Sequence, residues 1–332
     1  MWYRSLFVCL FTAALIYAST LFWGCSNPSG PSEPGWELGG AVTGSVQNLW
    51  ADGGTLYVCT SSGIFRSTDT ARTWTQVVSS TQLGLAGGFS GGVVARGSTL
   101  YVGTLGDFIY FSTNAGATWR QLRGGFTNFG TFVCEGISLI GNRVFCGNNG
   151  GTCFRTTFGD TTWVRAFDAS GGGSIRAFFN FNDTLYAGHN AGMQRSFDNG
   201  TTWSVAPVVG LETIDARRVY AFTRRGNSLY IATDLGVYVS NNSGASWSPV
   251  RGLPPAGSAG LGDDARALTT VGNSVIVGMR FEGIWRSTDG INFTDFSQGL
   301  DSRAIKALIT LGNVVVAASA DPTPRIWIRR VQ

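Results

Sequence analysis

Short apolar runs recur along the chain, bounded by Gly, Asn, Asp or Ser, with the length and β-branched content of strands rather than helices. Thr55-Leu56-Tyr57-Val58-Cys59 opens a series continued by Thr99-Leu100-Tyr101-Val102-Gly103, Arg143-Val144-Phe145-Cys146-Gly147 and Thr184-Leu185-Tyr186-Ala187-Gly188. Ser228-Leu229-Tyr230-Ile231-Ala232, Ser274-Val275-Ile276-Val277-Gly278 and Asn313-Val314-Val315-Val316-Ala317 complete it. These seven copies are spaced by 44, 44, 41, 44, 46 and 39 residues. Each interval accommodates a sheet of four short strands. One repeat reads as strand 1 over residues 267–270, strand 2 over 274–278, strand 3 over 283–287 and strand 4 over 293–296.

A second motif follows in most repeats. Ser67 to Trp74, Ser112 to Trp119, Ser196 to Trp203, Ser240 to Trp247 and the shorter Ser287 to Phe293 share a Ser, an Asp or Asn two positions on, and a closing aromatic. An Asp or Asn oxygen accepts bonds from backbone N–H groups of a turn, Gly supplies a positive φ, and Trp opens the next strand. Asp69, Trp74, Asn114, Trp119, Asp198, Trp203, Asn242, Trp247, Asp289 and Phe293 therefore read as turn staples, not as catalytic groups. The motif resembles the Asp box, S-x-D-x-G-x-T-W, or bacterial neuraminidase repeat. It is similar to that of the sialidase-like and photosystem II assembly factor-like propeller superfamily. The resemblance implies a β-propeller, with scaffolds on membrane complexes in one branch and glycosidases in another.

The last repeat supplies only three strands, ending at Arg325-Ile326-Trp327-Ile328-Arg329, whereas Gly35-Trp36-Glu37-Leu38 looks like the opening of a fourth strand. The expectation is all-β: a single seven-bladed β-propeller of four-stranded blades over residues 36–332, closed by the N-terminal strand completing the last blade.

Composition agrees with many tight turns in a packed chain. Of 332 residues 47 are Gly and 9 are Pro, 43% are hydrophobic and the net charge is +4, which excludes disorder and collagen. The basic residues are scattered Arg, Lys306 being the single Lys, so no nucleic-acid partner is expected. Arg4 precedes an apolar stretch over residues 6–23 that ends at Gly24-Cys25 and turns polar at once. Residues 1–24 read as a signal peptide, and Leu21-Phe22-Trp23-Gly24-Cys25 resembles a lipobox. Cys25 is then the lipidated residue, residues 25–35 are a flexible tether, and an uncleaved N-terminal anchor is the alternative. Either way the expected product is exported and membrane-anchored, facing the periplasm or cell exterior.

Counting nine residues back from the strand-2 anchor, or by the Gly of the preceding turn in the last repeat, decodes a rim. Gln47, Gly91, Glu135, Arg176, Tyr220, Arg266 and Lys306 hold equivalent positions, each followed by a small residue, or Asn48 in the first repeat, and then a larger apolar one. This predicts a channel mouth with a positive excess, to which residues after strand 2 add Asp107, His189, Asp234, Arg280, Phe281 and Glu282. A set of ordinary salt bridges capping the strands is the alternative reading. Phe126 and Phe129 are candidates for apolar contacts nearby.

Cys146 and Cys153, on successive strands, form a candidate disulfide. No C-x-x-C pair supports zinc, and no metal or cofactor is expected. His189 is the single His, too little for a His-rich metal site, and a catalytic role is not assigned to any residue.

Two functions follow. The first is a non-catalytic binding or assembly scaffold, expected to be monomeric, that recognises a protein or glycan with its channel-mouth face. The alternative is a sialidase-like glycosidase, whose arginine triad, Tyr/Glu pair and Asp acid would be cast on Arg176, Arg266, Arg280, Tyr220, Glu135 and Asp107. The F/Y-R-I-P motif of that family is absent near the start, and Pro324-Arg325-Ile326-Trp327 only partly echoes it.

Overall fold

The computed structural model describes residues 33–127, 129–169, 171–255 and 264–332. The expected signal peptide, Cys25 and the first part of the tether lie outside the described residues. Residues Gly35–Gln332 form one compact unit.

Strand β1 (Glu37–Leu38) precedes a four-stranded antiparallel sheet of β2 (Val46–Asp52), β3 (Thr55–Thr60), β4 (Gly63–Ser67) and β5 (Thr75–Ser79). Then come β6 (Phe89–Arg96), β7 (Thr99–Gly106), β8 (Ile109–Ser112), β9 (Arg120–Leu122), β10 (Phe132–Ile140), β11 (Arg143–Asn148), β12 (Thr152–Thr157) and β13 (Val164–Asp168). Two more four-stranded sheets are β14 (Ile175–Phe181), β15 (Thr184–His189), β16 (Gly192–Ser196), β17 (Ser204–Val205), and β18 (Ala221–Arg225), β19 (Ser228–Thr233), β20 (Gly236–Ser240), β21 (Ser248–Pro249). The next is β22 (Ala265–Val271), β23 (Ser274–Met279), β24 (Ile284–Ser287) and β25 (Thr294–Asp295). The last is β26 (Ile305–Leu311), β27 (Val314–Ser319) and β28 (Ile326–Arg330), against which β1 pairs through Glu37↔Ile328 and Leu38↔Trp327. The first strand of each group packs on the first strand of the next, and β26 packs on β2, which closes the propeller ring.

The expectation of seven four-stranded blades is corrected. Five four-stranded sheets stand as separate blades, and strands β6 to β13 form one continuous eight-stranded sheet. Strand length is the cause. β7 and β10 run to 8 and 9 residues, and their overrunning ends pair through Gly106↔Phe132 and Leu105↔Val133. Backbone groups that a separate blade would leave open at that end satisfy one another.

Turn chemistry sets the hairpins. Gly141, Gly226, Gly272 and Gly312 each open a two-residue turn with φ between 53° and 60°, as type II′ geometry requires, whereas Asn182 and Asp183 both take positive φ in a type I′ turn. The longer turns between third and fourth strands are held by side chains. Ser67 Oγ donates to Asp69 Oδ1 at 2.8 Å, and the Asp69 carboxylate accepts Thr73 N at 2.9 Å and Thr73 Oγ1 at 2.6 Å. Asp198 takes the same bonds from Ser196 and Thr202. Asn114 and Asn242 keep the backbone bond through Oδ1 and donate Nδ2 to Thr118 and Ser246. These bonds hold the Asp69 carboxyl down at about 2, its Thr73 partners contributing most.

The core fills the spaces between neighbouring sheets. Phe126 is buried among Phe108, Phe132, Phe154 and Trp163, and Phe129 packs edge-on against Phe132 and Phe154. Phe126 is thus core, not the surface contact expected from sequence, and Phe129 is half-buried against the same aromatic cluster.

Candidate functional site: the channel mouth

The rim is built from β-bulges. The register slips at Gln47 in β2, Glu135 in β10, Arg176 in β14, Arg266 in β22 and Lys306 in β26. In β6 the slip spans Ser90 and Gly91. Tyr220 stands at the corresponding place before β18, its N–H bonded to Ala232 O at 2.9 Å. A bulge leaves its extra residue out of the ladder and turns the side chain off the sheet face. The bulged side chains meet around a cavity of about 360 Å³, lined by Gln47, Gly91, Glu135, Arg176, Tyr220, Arg266 and Lys306 and floored by Leu49, Ile137, Phe178, Phe222, Leu268 and Leu308.

Most charges at the mouth are paired. Arg176 Nε lies 3.5 Å from Glu135 Oε2, and its Nη1 donates to Asn190 Oδ1. Arg266 pairs with Asp264, whose side chain is 4% exposed, and Arg280 Nη1 approaches the same carboxylate at 3.8 Å. Burial pushes the Asp264 carboxyl up despite both guanidiniums. Asp234 accepts the Tyr220 hydroxyl and Arg218 Nη1, each at 2.6 Å. Burial first, and the bond to Asp234 second, push the Tyr220 hydroxyl up. The guanidinium carbons of Arg176 and Arg266 lie 5.6 and 3.9 Å from the Tyr220 ring centroid.

Lys306 differs. It is exposed to solvent and has no hydrogen bond or ion pair among the described residues. The crowded mouth costs it hydration, and Arg266 and Arg176 repel it, which together outweigh the attraction of Glu135 and pull its ammonium down from the ordinary lysine range.

All six residues that the sequence adds to this face after strand 2 are outside the cavity lining. Asp234 braces Tyr220. Arg280 covers Phe281 and reaches Asp264. Glu282 supplies its carbonyl to Trp285 Nε1 at 2.9 Å. His189 is 1% exposed, its Nδ1 accepts Ala191 N at 3.2 Å, and its Nε2 is without a partner among the described residues. Burial holds its imidazole down at about 4. Asp107, the acid in the glycosidase casting, is also outside the cavity lining and caps Thr104 through its N–H. Sequence reasoning missed Asp264 and Asn190, which fix Arg266 and Arg176, and Arg218, which fixes Asp234, because each stands outside the strands at no periodic position.

The register separates the candidate disulfide pair. Cys146 faces Phe154 and Cys153 faces Gly147, so the two thiols project from opposite faces of the β11–β12 pair into different cores. All four described cysteines are free thiols. Among the described residues no group of three or more His, Cys, Asp or Glu is placed to hold a metal ion, and no helix is long and apolar enough to cross a membrane.

No protein-family model matches the chain. A xyloglucanase of Hypocrea jecorina is 33% identical over 127 residues, 35% of this chain, and the chain covers 14% of that enzyme's length. Among solved structures, the extracellular domain of a putative one component system of B. thetaiotaomicron, BT4673, superposes with TM-score 0.69 at 14% identity over 91% of this chain and 40% of its own. YCF48 bound to D1 peptide superposes with TM-score 0.62 at 15% identity, covering 91% of this chain and all of that one, 100%. At such identities the likeness is one of fold: a β-propeller, shared with an extracellular domain and with a peptide-bound protein.

Proposed function

We propose that the chain is a non-catalytic, membrane-tethered extracytoplasmic scaffold that grips a protein or glycan partner at its channel mouth. One observation carries the reading: the bulged rim converges on a single cavity at which Lys306 is left unpaired among the described residues while the neighbouring cations are committed to carboxylates. A solvent-facing cation that no carboxylate pairs is a group that a ligand's acceptor atoms satisfy. In the same reading residues 1–24 are the lipoprotein signal, Cys25 carries the lipid, residues 25–35 are the tether and the staple turns are Asp boxes. The test is capture of membrane partners by the exported chain and by Lys306→Ala. Loss of a specific partner in the variant, with the fold intact, is expected, and equal capture by both proteins sinks the reading.

A glycosidase of sialidase-like type is the second reading, favoured by the partial match to a xyloglucanase. Against it, the Tyr220 hydroxyl donates to Asp234 and not to Glu135, its partner in the casting, and Asp107, the acid of the casting, is outside the cavity lining. Assay of a glycoside panel that includes xyloglucan oligosaccharides and sialosides decides it, with Tyr220→Phe alongside. Turnover that the variant loses overturns the scaffold reading.

A further inference from the structure

Cys134 in β10 and Cys146 in β11 lie with their sulfurs 2.9 Å apart, inside the ordinary non-bonded contact of two sulfur atoms. Both are fully buried in the same core. The bulge at Glu135 brings them together: Cys134 pairs with Asn148 and Cys146 with Ile137, and the register slip between them swings Cys134 toward its diagonal neighbour. Ser90 Oγ fixes that end of β10 by donating to Cys134 O at 2.7 Å. The remaining described thiols turn their sulfurs to backbone carbonyls, Cys59 to Thr60 O in the core between β3 and β6 and Cys153 to Phe154 O on the opposite face.

We infer that Cys134 and Cys146 are a site of disulfide formation that staples β10 to β11 across the bulge carrying Glu135. The inference rests on the exported reading only for its supply of oxidant. Each thiol gives up its hydrogen and the Sγ–Sγ bond forms. The electron pair and both protons pass to a disulfide oxidant of the glutathione or protein-disulfide class, which leaves as two thiols. Complete burial places the reaction during folding, before the core closes over the pair. The staple fixes the backbone on which Glu135 meets Arg176, so the crosslink also holds one side of the channel mouth in register.

The test is refolding of the reduced full-length chain in a buffer of glutathione disulfide and glutathione, followed by acid quench, alkylation of remaining thiols and tryptic mapping. Trypsin separates the pair, because cleavage after Arg123, Arg143 and Arg155 places Cys134 in residues 124–143 and both Cys146 and Cys153 in residues 144–155. The expected product is those two peptides crosslinked, with Cys153 and Cys59 alkylated, and the crosslink survives Cys153→Ser and is lost in Cys146→Ser. Full alkylation of Cys134 and Cys146, or a ring closed within residues 144–155, overturns the inference. A crosslink formed in vitro but missing from protein recovered from the producing cells under acid quench supports the pairing and counts against the exported reading instead.

Discussion

The guanidinium of Arg266 stacks 3.9 Å above the Tyr220 ring while pairing with the buried carboxylate of Asp264. Arg266 is thereby a structural cation and Lys306, beside it at the rim, is an available one. A buried carboxylate stripped of its partner keeps its desolvation cost, so Arg266→Ala is expected to destabilise the fold by about 3 kcal/mol at neutral pH. With the guanidinium gone, the Asp264 carboxyl rises further, and part of the loss is recovered on acidification as it takes up a proton. Lys306→Ala severs no bond among the described residues and is expected to stay within about 0.5 kcal/mol of the parent. Urea denaturation of both variants at two pH values checks the contrast; equal losses would make the rim a set of salt bridges and nothing more.

Asn48 bonds β6 in two directions, its Nδ2 donating to Val93 O at 3.3 Å and its Oδ1 accepting Val93 N at 3.1 Å. Trp50 and Asp52, two and four residues on, continue the row by bonding Ala95 O and Gly97 N. Side chains at every second position of β2 thus behave as a further strand toward its neighbour. Asn48→Ala leaves a partly buried N–H and C=O unpaired and is expected to cost about 2 kcal/mol. Denaturation midpoints of this variant and of Gln47→Ala, one residue away and facing the cavity, separate the interblade bond from a general effect of the site.

The period of the repeat made the rim legible. Nine residues back from the second strand in six repeats, and at the place set by the preceding turn in the last, lay the residues that line the cavity, and the small residue after all but Gln47 marked the crowded axis. The bulge was not legible, since it conserves the hydrophobic pattern while adding one unpaired residue, and without it Cys134 and Cys146 are too far along the ladder to be matched. The fusion of β7 with β10 was hidden for a similar reason: strand overrun is set by pairing partners, not by the apolar run itself. Asp264 and Asn190 stood in loops, where no periodicity assigns a position.

The staple turns offer a comparison within the molecule, because Asp69 and Asn114 do the same work with different chemistry. Asn114 keeps the backbone bond that Asp69 makes and replaces its second acceptor with a donor to Thr118. Asp69→Asn is therefore expected to fold normally at pH 7. The Asp69 carboxyl is held at about 2, below its ordinary 3.8, so its contribution is present above that range and lost as pH falls toward 2. Thermal unfolding between pH 5 and about 2 is expected to fall less steeply in the variant; parallel curves would show that the turn bonds survive protonation.

His189 titrates in a window clear of these carboxyls. Burial lowers its folded value from 6.5 to about 4, so between those limits the unfolded chain binds the additional proton. Stability then falls with falling pH through that window, by up to about 3 kcal/mol once both states are protonated. The Asp264 carboxyl, raised by burial, works with the opposite sign just above 3.8 and trims the lower end of the fall. His189→Gln removes the titrating imidazole and loses the bond that Ala191 N donates to Nδ1, a cost that holds nearly constant from pH 7 down to 4.5, where the folded imidazole is still mostly neutral. The expected outcome is a variant that is less stable at pH 7 yet loses little more on going to pH 4.5. Denaturation midpoints at pH 7, 6, 5 and 4.5 measure the slope directly, and an unchanged slope would mean that the imidazole is solvated in the folded protein.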